Sequence, residues 1–155
     1  MENTREIVLD SLLELEREAG FSNVLVRQVL QKYDYLPARE KAFIKRVTEG
    51  TLERRIELDH ILNQFSGVPV PKMKPLIRQL MRMSVYQLFY MDCIPDSAVC
   101  NEAVRLAQKR HFQSLKGFVN GVLRNIARNK EKIVYPDKEK DWLRGVSVRY
   151  SMPEF

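Results

Sequence analysis

The feature that most constrains the fold is a segment between residues 76 and 89 that is apolar on almost every side. Its apolar positions are Leu76, Ile77, Leu80, Met81, Met83, Val85, Tyr86, Leu88 and Phe89. At about 100° per residue these positions surround a helix, and such a helix is stable only when neighbours cover it. Elsewhere apolar residues recur at spacings of three and four, and no window shows the sustained alternation of a half-buried strand. The sequence therefore predicts an all-α fold, a bundle of about six to seven helices around this central apolar helix.

Capping residues and prolines indicate where the surrounding helices begin. Asn3, with Glu6 three residues later, has the pattern of a capping box at the start of the first helix. Ser22 or its neighbour starts the second helix. Pro37 suits the first turn of a long third helix. We expect Gly50 to bend or interrupt that helix.

The apolar pattern decays after residue 132, and this change predicts the domain organisation. We expect one domain over residues 1–132 and a linker over residues 133–155. The closing SVRYSMPEF mixes aromatic and apolar residues with nothing after them to pack on, which is typical of a structure that continues. No apolar stretch approaches the roughly 20 residues of a membrane span. The start MENTREIVLD lacks the basic and apolar regions of a signal peptide, so we expect a soluble, cytoplasmic protein.

Residues that could carry catalysis are sparse. The glycines are isolated, which excludes a phosphate-cradling glycine-rich loop. Cys93 and Cys100 have neither the number nor the spacing of a disulfide framework or a zinc site. We therefore assign no catalytic residue, cofactor site or metal site. Arg82 interrupts the apolar central helix, and we predict that it forms a structural ion pair with Glu102, because a buried guanidinium needs a desolvated acid.

Positive charge is distributed unevenly along the chain, whose net charge is +6. Residues 1–20 contain two arginines against six acids, whereas residues 101–132 contain eight lysines and arginines against two acids. Such polarity suits a polyanion bound on one surface, although most helical Lys and Arg simply face solvent. The candidate RNA-binding residues are Lys72, Lys74, Arg78, Lys109, Arg110, Lys116, Asn120, Arg124 and Arg128.

The last four of these candidates share one side of a predicted helix over SLKGFVNGVLRNIAR, opposite its apolar side. The same helix contains Gly117 and Gly121 one turn apart, although each glycine costs about 0.5–1 kcal/mol relative to alanine in a helix interior. Close approach of another element to that backbone would explain both glycines. We favour a neighbouring helix, and a nucleic-acid backbone along the basic stripe is the alternative.

The chain also resembles a known family. NEAVRLAQK, followed after a short gap by KGFVNGVLRNIAR, closely resembles the two C-terminal helices of the NusB-like RNA-binding fold. Within that fold the chain is most similar to the N-terminal domain of the bacterial Sun/Fmu (RsmB) rRNA cytosine-C5 methyltransferases. The segments that carry this similarity are GFSNVLV near residue 20, EGTLERRIELDHILNQF at 49–65 and KPLIRQLMRMSVYQLFYMD at 74–92. Arg124 adds to it, because antitermination NusB proteins tend to carry an acid there.

The resemblance implies an accessory role in RNA methylation. The domain would help to hold small-subunit ribosomal RNA for a catalytic half that begins beyond SVRYSMPEF. S-adenosylmethionine is then expected in that missing C-terminal domain and no cofactor in this fragment. The implied partners are small-subunit ribosomal RNA and the chain's own catalytic domain. Glu49 and Glu53 stand where relatives often have uncharged or basic residues, which argues against an RNA surface along their helix.

Two alternatives remain open from the sequence. The first is a free-standing NusB-type antitermination factor that binds RNA and a ribosomal protein. Its basic N-terminal arm is reduced here to MENTRE, with Arg5 as the only cation, which argues against the same RNA mode. The second is a helical protein-interaction module whose Gly117 and Gly121 groove receives a partner helix. RNA binding should weaken steeply between about 50 and 200 mM salt, whereas an apolar groove should barely respond.

Overall fold

A computed structural model describes residues 3–18 and 22–133 of the chain. Over these ranges it contains seven α-helices and three short 3₁₀ segments, and no strand. The helices are α1 (Thr4–Arg17), α2 (Asn23–Gln31), α3 (Ala38–Glu53), α4 (Arg55–Phe65), α5 (Pro75–Tyr90), α6 (Asp96–Lys109) and α7 (Lys116–Arg128). The predicted all-α class is confirmed. The predictions for the segment after residue 133 lie outside the described residues.

The central position of α5 is also confirmed. This helix packs against α1, α3, α4, α6 and α7, and Leu80, Met81 and Val85 are fully buried on it. Ile133, the last described residue, is 8% exposed and belongs to the same core. Within residues 3–18 and 22–133 no helix is long and apolar enough to span a membrane.

Two of the predicted helix starts have the expected caps. Asn3 Oδ1 accepts hydrogen bonds from the backbone N–H groups of Arg5 (2.9 Å) and Glu6 (3.2 Å), and Ser22 Oγ accepts one from the Leu25 N–H. These caps satisfy backbone donors that have no partner inside the helix. The Glu6 carboxylate pairs with the end of α6, so it serves tertiary packing.

The predicted break at Gly50 is wrong, because α3 runs through it and ends at Glu53. Arg54 separates α3 from α4, with φ −107° and ψ 17°. Gly50 is buried, and a Cβ added there would overlap the ring of Tyr86. The missing side chain therefore lets α5 approach α3 closely.

The predicted pairing of Arg82 with Glu102 is also wrong. Arg82 donates from Nε and Nη2 to the two carboxylate oxygens of Asp59, both at 2.7 Å. Asp59 lies on α4, which packs directly on α5, and its two oxygens match the guanidinium fork. Glu102 accepts instead from Arg105 at 2.9 Å, three residues further along α6. The expectation of a paired arginine held, but the register between helices selected another acid.

Candidate functional site

The exposed face of α7 brings together four of the predicted binding residues. α7 packs chiefly on α6 and buries Val119, Val122, Leu123 and Ile126. At about 100° per residue, the opposite face carries Lys116, Asn120, Arg124 and Arg128. Lys116 and Arg128 are exposed, and neither has a hydrogen-bond or ion-pair partner in the part of the chain that the structure describes.

Arg124 is held in place by neutral groups. Its Nε donates to Asn120 Oδ1 at 2.8 Å, one turn earlier on α7, and its Nη2 donates to Asn101 Oδ1 of α6 at 2.7 Å. Both acceptors are amide oxygens without formal charge, so they orient the guanidinium and leave its positive charge uncompensated. The charge of Arg124 also acts on the buried Cys100. Burial raises the pKa of the Cys100 thiol, and the positive charge of Arg124 opposes that rise.

Gly117 and Gly121 lie on this same exposed face of α7. A Cβ added at either position would meet nothing within 4 Å. The expected neighbouring helix is therefore absent from the described part of the protein, and that interpretation was wrong there. The two glycines instead leave a strip of bare helix backbone beside Arg124 and Arg128.

Three other predicted residues, Lys109, Arg110 and Arg78, are paired with acids of α1. Lys109 pairs with Glu6 at 2.6 Å, and Arg110 pairs with Asp10 at 2.8 Å and with Glu6 at 3.3 Å. Burial alone would lower the pKa of Arg110, but its hydrogen bond to Asp10 and the two negative charges outweigh that effect and raise it.

Arg78 is engaged most completely. Its guanidinium donates to Glu16 of α1 and to the backbone oxygens of Val70 (3.1 Å), Pro71 (3.0 Å) and Met73 (2.8 Å). The side chain is 17% exposed. Arg78 therefore fastens the segment before α5 to α1 and presents little of its charge to solvent. Lys72 and Lys74, in contrast, are exposed with no partner among residues 3–18 and 22–133, and their role stays a prediction.

Several partly buried arginines differ in whether their partner is a carboxylate, which neutralises the charge, or an amide, which does not. Arg54, Arg78, Arg82 and Arg110 each have a carboxylate within 4.0 Å. Arg124 and Arg5 have side-chain amides instead: Arg5 Nε donates to Gln87 Oε1 at 3.0 Å. Sequence reasoning missed Arg5 and Asn101 as site residues. In the sequence, Asn101 stands out as a polar residue next to Glu102 on α6. The contact between Asn101 and Arg124 is seen only when α6 is packed on α7.

The α7 face carries the side-chain types that suit oxyanions, and its phosphate-type contacts would not read a base sequence. Arginine can grip a phosphate through two N–H groups, and lysine acts as a point charge. A stripe of cations along a helix matches successive phosphates, whose contacts position a nucleic acid without selecting its sequence.

Comparisons with known proteins show which proteins this chain is similar to. The family model described as "NusB family" matches residues 2–128. The protein of Bacillus subtilis (strain 168) described as "Probable ribosomal RNA small subunit methyltransferase B" is 37% identical over 153 residues, which is 99% of this chain and 33% of that protein. The chain thus spans about a third of the length of that relative.

Two further similarities concern antitermination proteins. The "Transcription antitermination protein NusB" of Dictyoglomus thermophilum is 32% identical over 114 residues, covering 73% of this chain and 79% of that protein. Among solved structures, a chain in "Crystal Structure of Antitermination Factors NusB and NusE in complex with dsRNA" superposes with a TM-score of 0.71 at 18% identity. That superposition covers 81% of this chain and 93% of the other, and it shows a common fold.

Proposed function

This chain belongs to the NusB family, and on that premise we propose that it is an RNA-binding domain whose contact surface is the exposed face of α7. In the whole protein it would help to position small-subunit ribosomal RNA for an S-adenosylmethionine-dependent cytosine-C5 methyltransferase. The cofactor and the catalytic residues would belong to a following domain, which would be the second partner of this one. No residue of the described ranges is assigned to methyl transfer.

The observation that carries the proposal is the uncompensated charge of α7. Lys116 and Arg128 have no partner in the described part of the chain, and Arg124 is oriented by two amide oxygens. Neutralising phosphates with such side chains releases condensed counterions, which is the main source of sequence-independent affinity. The bare backbone at Gly117 and Gly121 lets a phosphate chain lie close to the helix between these cations.

The methyltransferase assignment is supported by the extent of the match. The similarity to the Bacillus subtilis protein covers 153 residues of this chain, whereas the NusB family model covers residues 2–128. Arg124 supports the same assignment through the resemblance described above. Because the chain spans about a third of that relative, the activity of a whole protein rests on the domain that would follow.

The antitermination role is the second candidate. It is favoured by the 79% of the Dictyoglomus thermophilum protein that this chain covers, and by the fold it shares with a NusB bound to NusE and dsRNA. In that case the partners would be RNA and a ribosomal protein. Continuation of the reading frame past Phe155 into a glycine-rich cofactor motif and a Pro-Cys pair supports the methyltransferase. A stop codon there supports the antitermination factor.

The proposal is tested by reversing charge on α7. We expect Arg124→Glu with Arg128→Glu to lower affinity for small-subunit ribosomal RNA fragments about tenfold to hundredfold. The slope of log affinity against log salt should also become shallower by about 1–2 units. The measurement is a fluorescence anisotropy titration at several salt concentrations between about 50 and 200 mM.

The matched control is Arg27→Glu with Lys45→Glu, which changes the net charge equally. Both residues are exposed and line a groove between α2 and α3 to which neither α6 nor α7 contributes. The control should keep most of the affinity, and both variants should keep the wild-type circular dichroism. Equal losses in the two double variants would contradict a site on α7 and reduce the effect to net charge.

A further inference from the structure

A groove between α2 and α3 forms a surface that the α7 face does not use. It has a volume of about 520 Å³, and its apolar floor consists of Val26, Leu30 and Leu52. Val26 and Val29 of α2 pack on Leu15 of α1 in a small cluster that is separate from the main core. Because α2 packs more extensively on α1 than on α3, the space between α2 and α3 stays open.

Charges of both signs line this groove in equal number. Three bases and three acids contribute to it, namely Arg27, Lys45, Arg55, Asp34, Glu49 and Glu53. Arg55 donates from Nη1 to the backbone oxygen of Leu52 at 2.8 Å. The other five side chains have no hydrogen bond or ion pair in the part of the chain that the structure describes. Opposite charges thus lie in one groove without pairing with each other.

This balance of charge indicates which kind of partner suits the groove. A surface that binds a strongly acidic or basic partner presents an excess of the opposite sign, and the acids here would repel the phosphates of a nucleic acid. A balanced surface is complementary to a second copy of itself. In a two-fold dimer residue i contacts residue j of the partner, and j contacts i, so every base can meet an acid.

The order of the charges along α3 defines a register for such a dimer. Lys45, Glu49 and Glu53 recur every four residues on one side of α3, over about 12 Å of helix. Two α3 helices arranged antiparallel about an axis at Glu49 bring each Lys45 to the partner subunit's Glu53. Arg27, on the α2 wall of the groove, then lies close to the partner subunit's Glu49. Each of these charges would gain the partner that it lacks within its own chain.

Two exposed apolar side chains adjoin the same wall of the groove. Val24 is 61% exposed and lies one turn before Arg27 on α2. Tyr35 is 67% exposed and directly follows Asp34. Exposed apolar surface rimmed by polar residues is typical of a protein–protein contact, and a second copy in the groove would bury more of it.

We propose that the α2–α3 groove is the contact surface of a homodimer of this chain, with Lys45 against the partner subunit's Glu53 and Arg27 against the partner subunit's Glu49. The dimer goes beyond the proposed function and does not rest on it. No residue of α6 or α7 lines the groove, so the RNA-binding face would remain open in both copies.

The first test is the mass of the 155-residue chain by sedimentation equilibrium, at protein concentrations from about 1 to 200 µM. We expect the mass to rise with concentration from 18.2 kDa toward twice that value. A mass of 18.2 kDa at every concentration overturns the proposal and leaves the groove to a different protein.

The second test exchanges charges between the two walls. Arg27→Glu with Lys45→Glu makes the register wholly acidic, and Glu49→Lys with Glu53→Lys makes it wholly basic. Each double variant alone should associate about tenfold to hundredfold more weakly than the wild type, because every pair becomes repulsive. An equal mixture of the two should associate again, because each acid now meets a base of the other variant.

The recovery in the mixture distinguishes paired residues from a general effect of charge. The net charge is +6, and both double variants stay positive, so attraction between net charges cannot produce the mixed dimer. Circular dichroism checks that both variants are folded. Wild-type association of either variant alone, or no recovery on mixing folded variants, overturns the proposed contact.

The matched control is Arg124→Glu with Arg128→Glu, which removes the same charge from α7. This variant should associate like the wild type while losing RNA affinity. Loss of the dimer in the control as well would reduce the effect to net charge and overturn the proposal. A monomeric wild type whose RNA binding depends on α7 contradicts the dimer alone, and a dimer whose RNA binding ignores α7 contradicts the proposed function alone.

Discussion

Cations of the same type meet opposite surroundings on the two sides of this bundle. On the α1 side, Arg78, Lys109 and Arg110 are paired with carboxylates of α1. On α7, Lys116 and Arg128 have no partner in the described ranges, and Arg124 has amides. The difference follows from the neighbours, because α1 presents acids along its length and α7 contains none. A local excess of Lys and Arg therefore indicates a binding surface only where the packed helices bring no carboxylate to it.

The largest effect should come from removing a paired cation. Arg78→Met breaks four hydrogen bonds, one to Glu16 and three to backbone oxygens. We expect the free energy of unfolding to fall by about 2–4 kcal/mol, because partly buried acceptors lose a charged donor. Urea denaturation followed by circular dichroism measures this change.

Lys72→Met is the matched control, since Lys72 is exposed and has no partner in the described part of the chain. Its unfolding free energy should stay within about 0.5 kcal/mol of the wild type. Arg78→Met should leave RNA affinity unchanged when the affinity is measured at a temperature where this variant is folded. A loss of affinity without a loss of stability would place Arg78 in the interface.

A smaller effect of opposite sign is expected at the bare strip on α7. Gly117→Ala and Gly121→Ala should each raise the free energy of unfolding by about 0.5–1 kcal/mol, because both sites have room for a methyl group and alanine favours the helix. Affinity for RNA should fall in the double variant, since two Cβ atoms hold a phosphate chain further from the backbone.

Both the free energy of unfolding and the RNA affinity should be measured on the double variant Gly117→Ala with Gly121→Ala. A gain in both quantities would show that nothing needs to approach this backbone closely. The appropriate control is Ala127→Gly, which introduces a glycine on the same helix at a partly buried position and should lower stability.

The smallest effects should appear when one exposed lysine is changed on each side. Lys116→Gln should make the salt slope of RNA binding shallower by about 0.7 for a single-stranded ligand. Lys109→Gln loses an exposed ion pair with Glu6, and we expect at most about 1 kcal/mol of stability to be lost and no change in slope. Equal slopes for the two variants would remove the distinction between the two sides.

Sequence patterns were sufficient for the features that depend on neighbouring residues. The spacing of apolar residues predicted the surrounded helix α5, and Asn3 and Ser22 predicted two helix starts, because caps act within one turn. The apolar and basic faces of α7 also followed from its period of 3.6 residues.

The partners of charged residues could not be predicted in the same way. Whether Arg82 meets Asp59 or Glu102 depends on how α5 is rotated and shifted against α4 and α6, and periodicity within one helix carries no such information. The same applies to Arg5. Its side chain lines a cavity formed by α1, α3 and the turn after α5, and the sequence of α1 alone does not show this arrangement.

The contact between Gly50 and Tyr86 limits how closely α3 and α5 can approach each other. The phenol ring of Tyr86 fills the volume that any larger residue at position 50 would need, and it stacks on Tyr90 at a centroid distance of 5.2 Å. Tyr90 donates from its hydroxyl to Glu57 at 2.6 Å and lies under the guanidinium of Arg54. The two tyrosines thereby connect the close contact of α3 with α5 at Gly50 to the corner where α3 turns into α4, and a side chain at position 50 would displace the first ring of that connection.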